Sequence, residues 1–203
     1  MLCLHNITKQ YVSKSEALTV LNQYSGEFDS KRVCIVGENG SGKSTLLLAI
    51  SGLLTVDAGS IEWQGHIIKQ DSLKTQVAIA SDSIVIPEFL IAKQVIEFNQ
   101  YAWKVDWPEE LISRFKFTNH LHKTIDALSA GNLKKLQLIC ALMRNCNLLL
   151  LDEPNIALDE DSVKVLWEII KTYSGMIIVA SNEPSLFEAK GFELHPLHSS
   201  DED

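Results

Sequence analysis

Between Arg32 and Ile50 the chain passes from an apolar pentapeptide through a glycine- and serine-rich loop into a leucine-rich stretch, an order few folds use. Arg32-Val33-Cys34-Ile35-Val36 reads as a short buried strand, and Leu46-Leu47-Leu48-Ala49-Ile50 as the body of a helix. The residues between them, Gly37-Glu38-Asn39-Gly40-Ser41-Gly42-Lys43-Ser44-Thr45, have the spacing of a loop that cradles phosphates. Glycines let backbone N–H groups approach a polyphosphate, and the helix behind them adds the partial positive charge of its N-terminus. Lys43 is placed to reach the outer phosphates, and the Ser44 hydroxyl to take a position on Mg²⁺. A chance Gly/Ser turn before a lysine would not carry a strand and a helix in register. Binding of a nucleoside triphosphate is therefore expected.

Other segments fit around this unit. Leu2–Ile7 and Leu18–Phe28 read as strands of an N-terminal β layer, joined by a polar turn at Ser13-Lys14-Ser15. Gly59–Gly65 suggests a strand and turn, and Gln76–Ala80 another strand. From about Pro87 to Ile125 the pattern is helical, with Trp103, Trp107, Phe115 and Phe117 spaced through it; Asp106 and Pro108 are expected to cap and open one of its helices. Gly131–Met143 is a second helix, with Leu136, Ile139, Cys140 and Met143 on its buried face. Leu148–Leu151 and Met176–Ala180 are apolar enough to be strands buried on both faces, with an apolar-faced helix (Val163, Leu166, Trp167, Ile170) between them. A short strand is expected at Phe192–Leu194. This alternation predicts an α/β fold around a mainly parallel sheet.

Composition narrows the partners. A net charge of −8 argues against nucleic acid as principal ligand, because phosphate binding needs a basic face, while leaving room for a local basic site such as the one at Lys43. No apolar run approaches membrane-spanning length, and no secretory signal is apparent at the N-terminus. Cys3, Cys34, Cys140 and Cys146 lack zinc spacing, as expected of reduced thiols in a cytoplasmic protein. The acidic tail from about 197 to 203 reads as a disordered end.

The leucine strand ends in Asp152-Glu153. An aspartate there can hold Mg²⁺ through water, and the adjacent glutamate can accept a proton from an attacking water. Upstream, Leu128-Ser129-Ala130-Gly131-Asn132 precedes the second helix; downstream stand Pro154 and Ala157-Leu158-Asp159. Taken together, in this order, these motifs resemble the nucleotide-binding subunits of ABC transporters over nearly the whole chain. Residues 128–132 are similar to the family signature, with Ala130 in place of a glycine and Asn132 in place of a glutamine.

The resemblance implies a P-loop NTPase fold in one domain over 1–203, with a helical subdomain inserted at about 83–130. It implies two such subunits, two copies of this chain being the expected pairing, that sandwich two ATP molecules. The phosphate loop of one and Ser129, Ala130, Gly131 and Asn132 of the other would hold each nucleotide. Tyr11 stands where the family stacks an aromatic on adenine. A separate transmembrane permease would be the partner, placing the chain on the cytoplasmic face of the membrane.

Two positions depart from the family. Asp82 follows Val77–Ala80 where a glutamine that contacts Mg²⁺ and senses the permease is usual, and it could still bind the metal. Asn182 follows Met176–Ser181 where the family has a histidine on the γ-phosphate. Asparagine donates a hydrogen bond but cannot become cationic, and loss of one preorganised donor costs about a hundred- to a thousandfold in rate. The expectation is an ATPase, with Glu153 as base and hydrolysis retained but slowed, in which Asp82→Gln and Asn182→His should each speed turnover. The alternatives are a regulatory, largely non-hydrolysing module paired with another such ATPase, or a non-transport member of the family.

Overall fold

The computed structural model describes residues 1–12, 17–67 and 75–197. The turn expected at Ser13-Lys14-Ser15 and the tail from 198 onward lie outside them. The elements run β1 (Leu2–Val12), β2 (Ala17–Phe28), β3 (Arg32–Val36), α1 (Lys43–Ile50), β4 (Ala58–Trp63), β5 (His66–Ile67) and β6 (Val77–Ala80). Then follow α2 (Ala92–Trp103), α3 (Glu109–Arg114), α4 (Ala130–Leu142), β7 (Leu148–Asp152), α5 (Glu160–Thr172), β8 (Met176–Ser181), α6 (Pro184–Glu188) and β9 (Glu193–Pro196).

Two sheets result. The first is antiparallel, in the order β2-β1-β4-β5; the second is β6-β7-β8-β3-β9, with every neighbouring pair parallel. Because alternate side chains of a strand point to opposite faces, the parallel sheet feeds two separate cores. Val33, Ile35, Leu148, Leu150 and Ile178 pack with α1 and the antiparallel sheet. Cys34, Leu149, Leu151, Ile177 and Val179 pack with α2, α4 and α5. Burial on both faces is why β7 and β8 are continuous apolar runs rather than alternating ones. Burial also pushes the Cys34 thiol up to about 12, so it serves as a small apolar core group.

The helical region between β6 and α4 contains α2, α3 and two single 3₁₀ turns at Thr118–His120 and Ile125–Ala127. Its expected aromatics divide. Phe115 and Phe117 are fully buried, whereas Trp103 lies under the Arg144 guanidinium, 3.6 Å from its ring centroid. The expectation that Asp106 caps α3 is corrected. The cap position is Pro108, no side chain caps it, and Trp107 Nε1 donates to Glu109. Helix α4 is also buried more widely than its apolar stripe suggests: Lys134, Lys135 and Gln137 are all enclosed.

Helix α5 is fixed by Asp159, whose Oδ1 accepts from the Ser162 backbone N–H and hydroxyl, each at 2.9 Å. Its Oδ2 accepts from Lys135 at 2.6 Å, tying α5 to α4. The lysine hydrogen bond, then the Ser162 amide, hold the Asp159 carboxyl well below the usual carboxylate range. A depressed folded-state value contributes stability that is present above the unfolded value and lost as pH falls towards the folded one. Asparagine caps helices comparably, so Asp159→Asn isolates the charge. The gap in Tm between wild type and this variant should be widest at neutral pH and close progressively below about pH 4; a constant gap would show that the charge contributes nothing.

Candidate functional site

Parallel order brings the carboxyl ends of β6, β7, β8 and β3 to one edge of the sheet, the edge where open α/β sheets bind ligands. Ser81, Asp152-Glu153, Ser181-Asn182 and the loop from Gly37 therefore emerge side by side.

The loop closes on itself before reaching α1. Ser41 N donates to Glu38 O, and Lys43 Nζ donates to the carbonyls of Gly37 and Glu38 at 2.8 and 2.9 Å. Gly42 caps α1 with φ 95°, and a Cβ there would fall 2.9 Å from the Val20 carbonyl of β2. Glycine is required at that position by both its backbone conformation and its clearance. Glu38, Asn39 and Gly40 are exposed, Lys43 and Ser41 are buried, and Ser44 and Thr45 are partly buried in the first turn of α1. Tyr11 sits on β1 opposite Leu18 of β2, two residues from the Val20 that touches Gly42. Its ring is 44% exposed, with the Lys9 ammonium 5.7 Å from its centroid.

The acidic pair has two environments. Asp152 is 5% exposed; its Oδ2 accepts from Ser81 Oγ at 2.6 Å, and its Oδ1 is buried with no hydrogen-bond partner. A buried carboxylate oxygen without a donor is short of a cation or water. Glu153 adopts a left-handed backbone, φ 43°, and has both oxygens held. Oε1 accepts from the Asn182 backbone N–H at 3.0 Å and Oε2 from Ser181 Oγ at 3.2 Å. Burial pushes its carboxyl upward, opposed by the Ser181 hydrogen bond and the Lys43 charge, the direction useful to a proton acceptor. The Asn182 side chain is exposed and its Nδ2 lies 3.5 Å from Asn39 Oδ1, so it spans from β8 to the phosphate loop.

The Asp82 carboxylate accepts from Lys134 of α4 at 2.9 Å, and that lysine also donates to the Asp152 carbonyl; the hydroxyl on the Asp152 carboxylate is that of the neighbouring Ser81. Ser81, Ser181 and Lys134 were not foreseen as site residues. The available signal was a serine ending each of two apolar strands, at the level of the acidic pair.

Ser129 caps α4, its Oγ accepting from the Asn132 backbone and side-chain N–H groups at 3.3 and 3.0 Å. Ser129 and Ala130 are exposed, while Gly131 and Asn132 are partly buried. Gly131 packs directly on the loop after the acidic pair, where a Cβ would meet the Ala157 carbonyl at 2.5 Å. The motifs 128–132 and 157–159 thus form one contiguous surface.

Comparison with known proteins gives the family and the fold. The family model described as "ABC transporter" matches residues 21–155. The glucosylceramide transporter ABCA12 of Mus musculus is 30% identical over 82% of this chain, which spans only 7% of that protein's length. A putative ABC transporter ATP-binding protein of Archaeoglobus fulgidus is 28% identical over 79% of this chain and 72% of its own. Among solved structures, a dimeric ATP-binding cassette bound to ADP and Pi in a post-hydrolysis state superposes with a TM-score of 0.81. It is 20% identical and covers 100% of this chain and 98% of its own. With residues 21–155 matched by that family model on an α/β P-loop NTPase fold, the chain belongs to the ABC transporter family and is an ABC-type ATPase domain.

Proposed function

We propose that residues 1–203 act as one ATP-driven unit that closes on a second copy and powers a membrane permease. The observation that carries this reading is the division of labour at the end of β7. Asp152 presents a buried, unpartnered Oδ1, while Glu153 is locked by Ser181 and Asn182 beside Lys43.

The donor set fits Mg²⁺. Among the described residues no cluster of three or more His, Cys, Asp or Glu could enclose a metal. Magnesium suits such a site, since it keeps several waters and takes one or two protein oxygens together with substrate phosphates. Ser44 and Asp152 are the groups that would hold it, and bound there it would neutralise charge on the phosphates. Gly37–Thr45 would cradle the triphosphate, with Tyr11 against the base. Glu153 takes the proton of the attacking water. Asn182 donates from its side chain at the phosphate loop, more weakly than a cationic imidazole, which supports retained but slow hydrolysis.

Pairing follows from the surface at 128–132. The hydrogen bonds of Ser129 remain inside its own cap, and its helix N-terminus is exposed, as suits a group that meets the phosphate of a facing subunit. The dimeric form of the related cassette supports the same arrangement.

The permease reading is supported by a cleft of about 360 Å³ between β6, α2 and α4, lined by Leu53, Ile79, Ile84, Ile86, Phe98 and Trp103. On α2 and the segment leading to it, Val85, Phe89 and Tyr101 are exposed by 88, 79 and 87%, apolar surface of the kind that marks an interaction site. Ser81 lines the same cleft. An occupant of the cleft would thus lie near the residue bonded to Asp152. No helix of the described residues is long and apolar enough to cross a membrane, so attachment to the cytoplasmic face would come through that partner.

Replacing Glu153 by Gln should lower ATP turnover by about 10²–10⁴-fold while ATP-bound dimer accumulates in light scattering; unchanged turnover would falsify the assignment of the base. Asn182→His should raise turnover measurably in steady-state phosphate release, and no gain would remove the idea of an attenuated site. The pair Phe98→Asp and Tyr101→Asp should release the chain from membranes that retain the wild type, as read by fractionation. Undiminished retention would exclude this face.

A further inference from the structure

Lys134 is a cation taken almost wholly out of water, with its side chain 2% exposed, one turn into the helix that begins at Ser129. Among the described residues its ammonium makes two hydrogen bonds. It donates to the Asp82 carboxylate at 2.9 Å and to the main-chain carbonyl of Asp152 at 3.2 Å. The first is its salt-bridge partner, although the Asp82 side chain is itself 64% exposed. Burial of an ammonium is tolerated only when it is paired and hydrogen-bonded. Asp82 therefore has a structural obligation towards Lys134 that is separate from any metal.

The adjacent residue completes the arrangement. Ser81 Oγ holds Asp152 Oδ2 at 2.6 Å, while Lys134, held by Asp82, grips the carbonyl of the same aspartate. One dipeptide after β6 thus fixes Asp152 twice, directly through its side chain and indirectly through its backbone. What is left is Oδ1, buried and without a partner.

We infer that Asp82 is the counter-ion of Lys134 and a positioning residue for Asp152, acting on the metal site through the lysine and not as a ligand. Without the Asp82 charge, the buried ammonium keeps only a neutral carbonyl, within reach of the acidic pair where it competes with a divalent cation. The sign of the effect expected from the family pattern then reverses: Asp82→Gln should impair the site, because a neutral amide cannot balance Lys134. This inference rests on the ATPase reading for its activity arm, but not for its stability arm.

The test is a double-mutant cycle on the full chain with Asp82→Asn, Lys134→Met and both together. Tm of the nucleotide-free protein is the first readout, and the Mg²⁺ concentration for half-maximal ATP turnover the second. Asp82→Asn alone should lower Tm by about 4 °C or more and raise the Mg²⁺ half-saturation on the order of tenfold. In the Lys134→Met background the same change should do neither, since an apolar side chain needs no counter-ion. Asp82→Glu, which keeps the charge, should restore part of both. An equal rise in Mg²⁺ half-saturation with and without Lys134 would overturn the inference and make Asp82 a direct ligand. An Asp82→Asn variant that matches wild type in both readouts would overturn it as well. If the chain neither bound nor hydrolysed ATP, the Tm cycle would still decide the pairing, so the two failures are distinguishable.

Discussion

Asp152 is a carboxylate carried out of water at the end of four consecutive leucines, and most of the surrounding chemistry is arranged around it. Burying a charge costs several kcal/mol unless other groups compensate. Here compensation comes from two directions. Ser81 reaches it from just past the end of β6 and Lys134 reaches its carbonyl from α4, while one oxygen remains for a cation. The neighbouring Glu153 is anchored to the end of β8 by Ser181 and Asn182. Parallel pairing of β6, β7 and β8 makes these contacts possible, because only parallel strands deliver their carboxyl ends to one edge.

Much of this was legible in the residues. Continuous apolar runs at 148–151 and 176–180 forecast strands buried on both faces, and Arg32–Val36 and Leu46–Ile50 forecast the strand and helix on either side of the loop from Gly37. Both are strong signals because they depend on local spacing. The parts that were not legible depend on distant pairings. Lys134 reads as one of two lysines on a helix, and nothing nearby in sequence shows that its partner lies 52 residues upstream. Asp82 could be placed two residues after a strand end, but whether it or Ser81 would face Asp152 is a question of side-chain direction. At the end of a strand a shift of one residue exchanges the two faces. Asp106 failed as a cap for a simpler reason: the cap position falls to Pro108 and the helix starts at Glu109, which leaves Asp106 outside it.

The helical region shows the same division. Periodicity located it, while burial decided which aromatics belong to the interior. Phe115 and Phe117 fill the core, whereas Phe98 and Tyr101 of α2 remain outside it, beside the cleft that contains Ser81. A composition count treats all four alike; only their burial in the folded chain separates them.

The contact between Gly131 and Ala157 has a mechanical consequence. The glycine leaves no room for a side chain against the Ala157 carbonyl, and Lys135 clasps Asp159 two residues further on. The head of α4 and the segment leading away from the acidic pair are therefore geared together. Neither can tilt without dragging the other, so an event felt at one is delivered to the other as displacement, with no slack to absorb it.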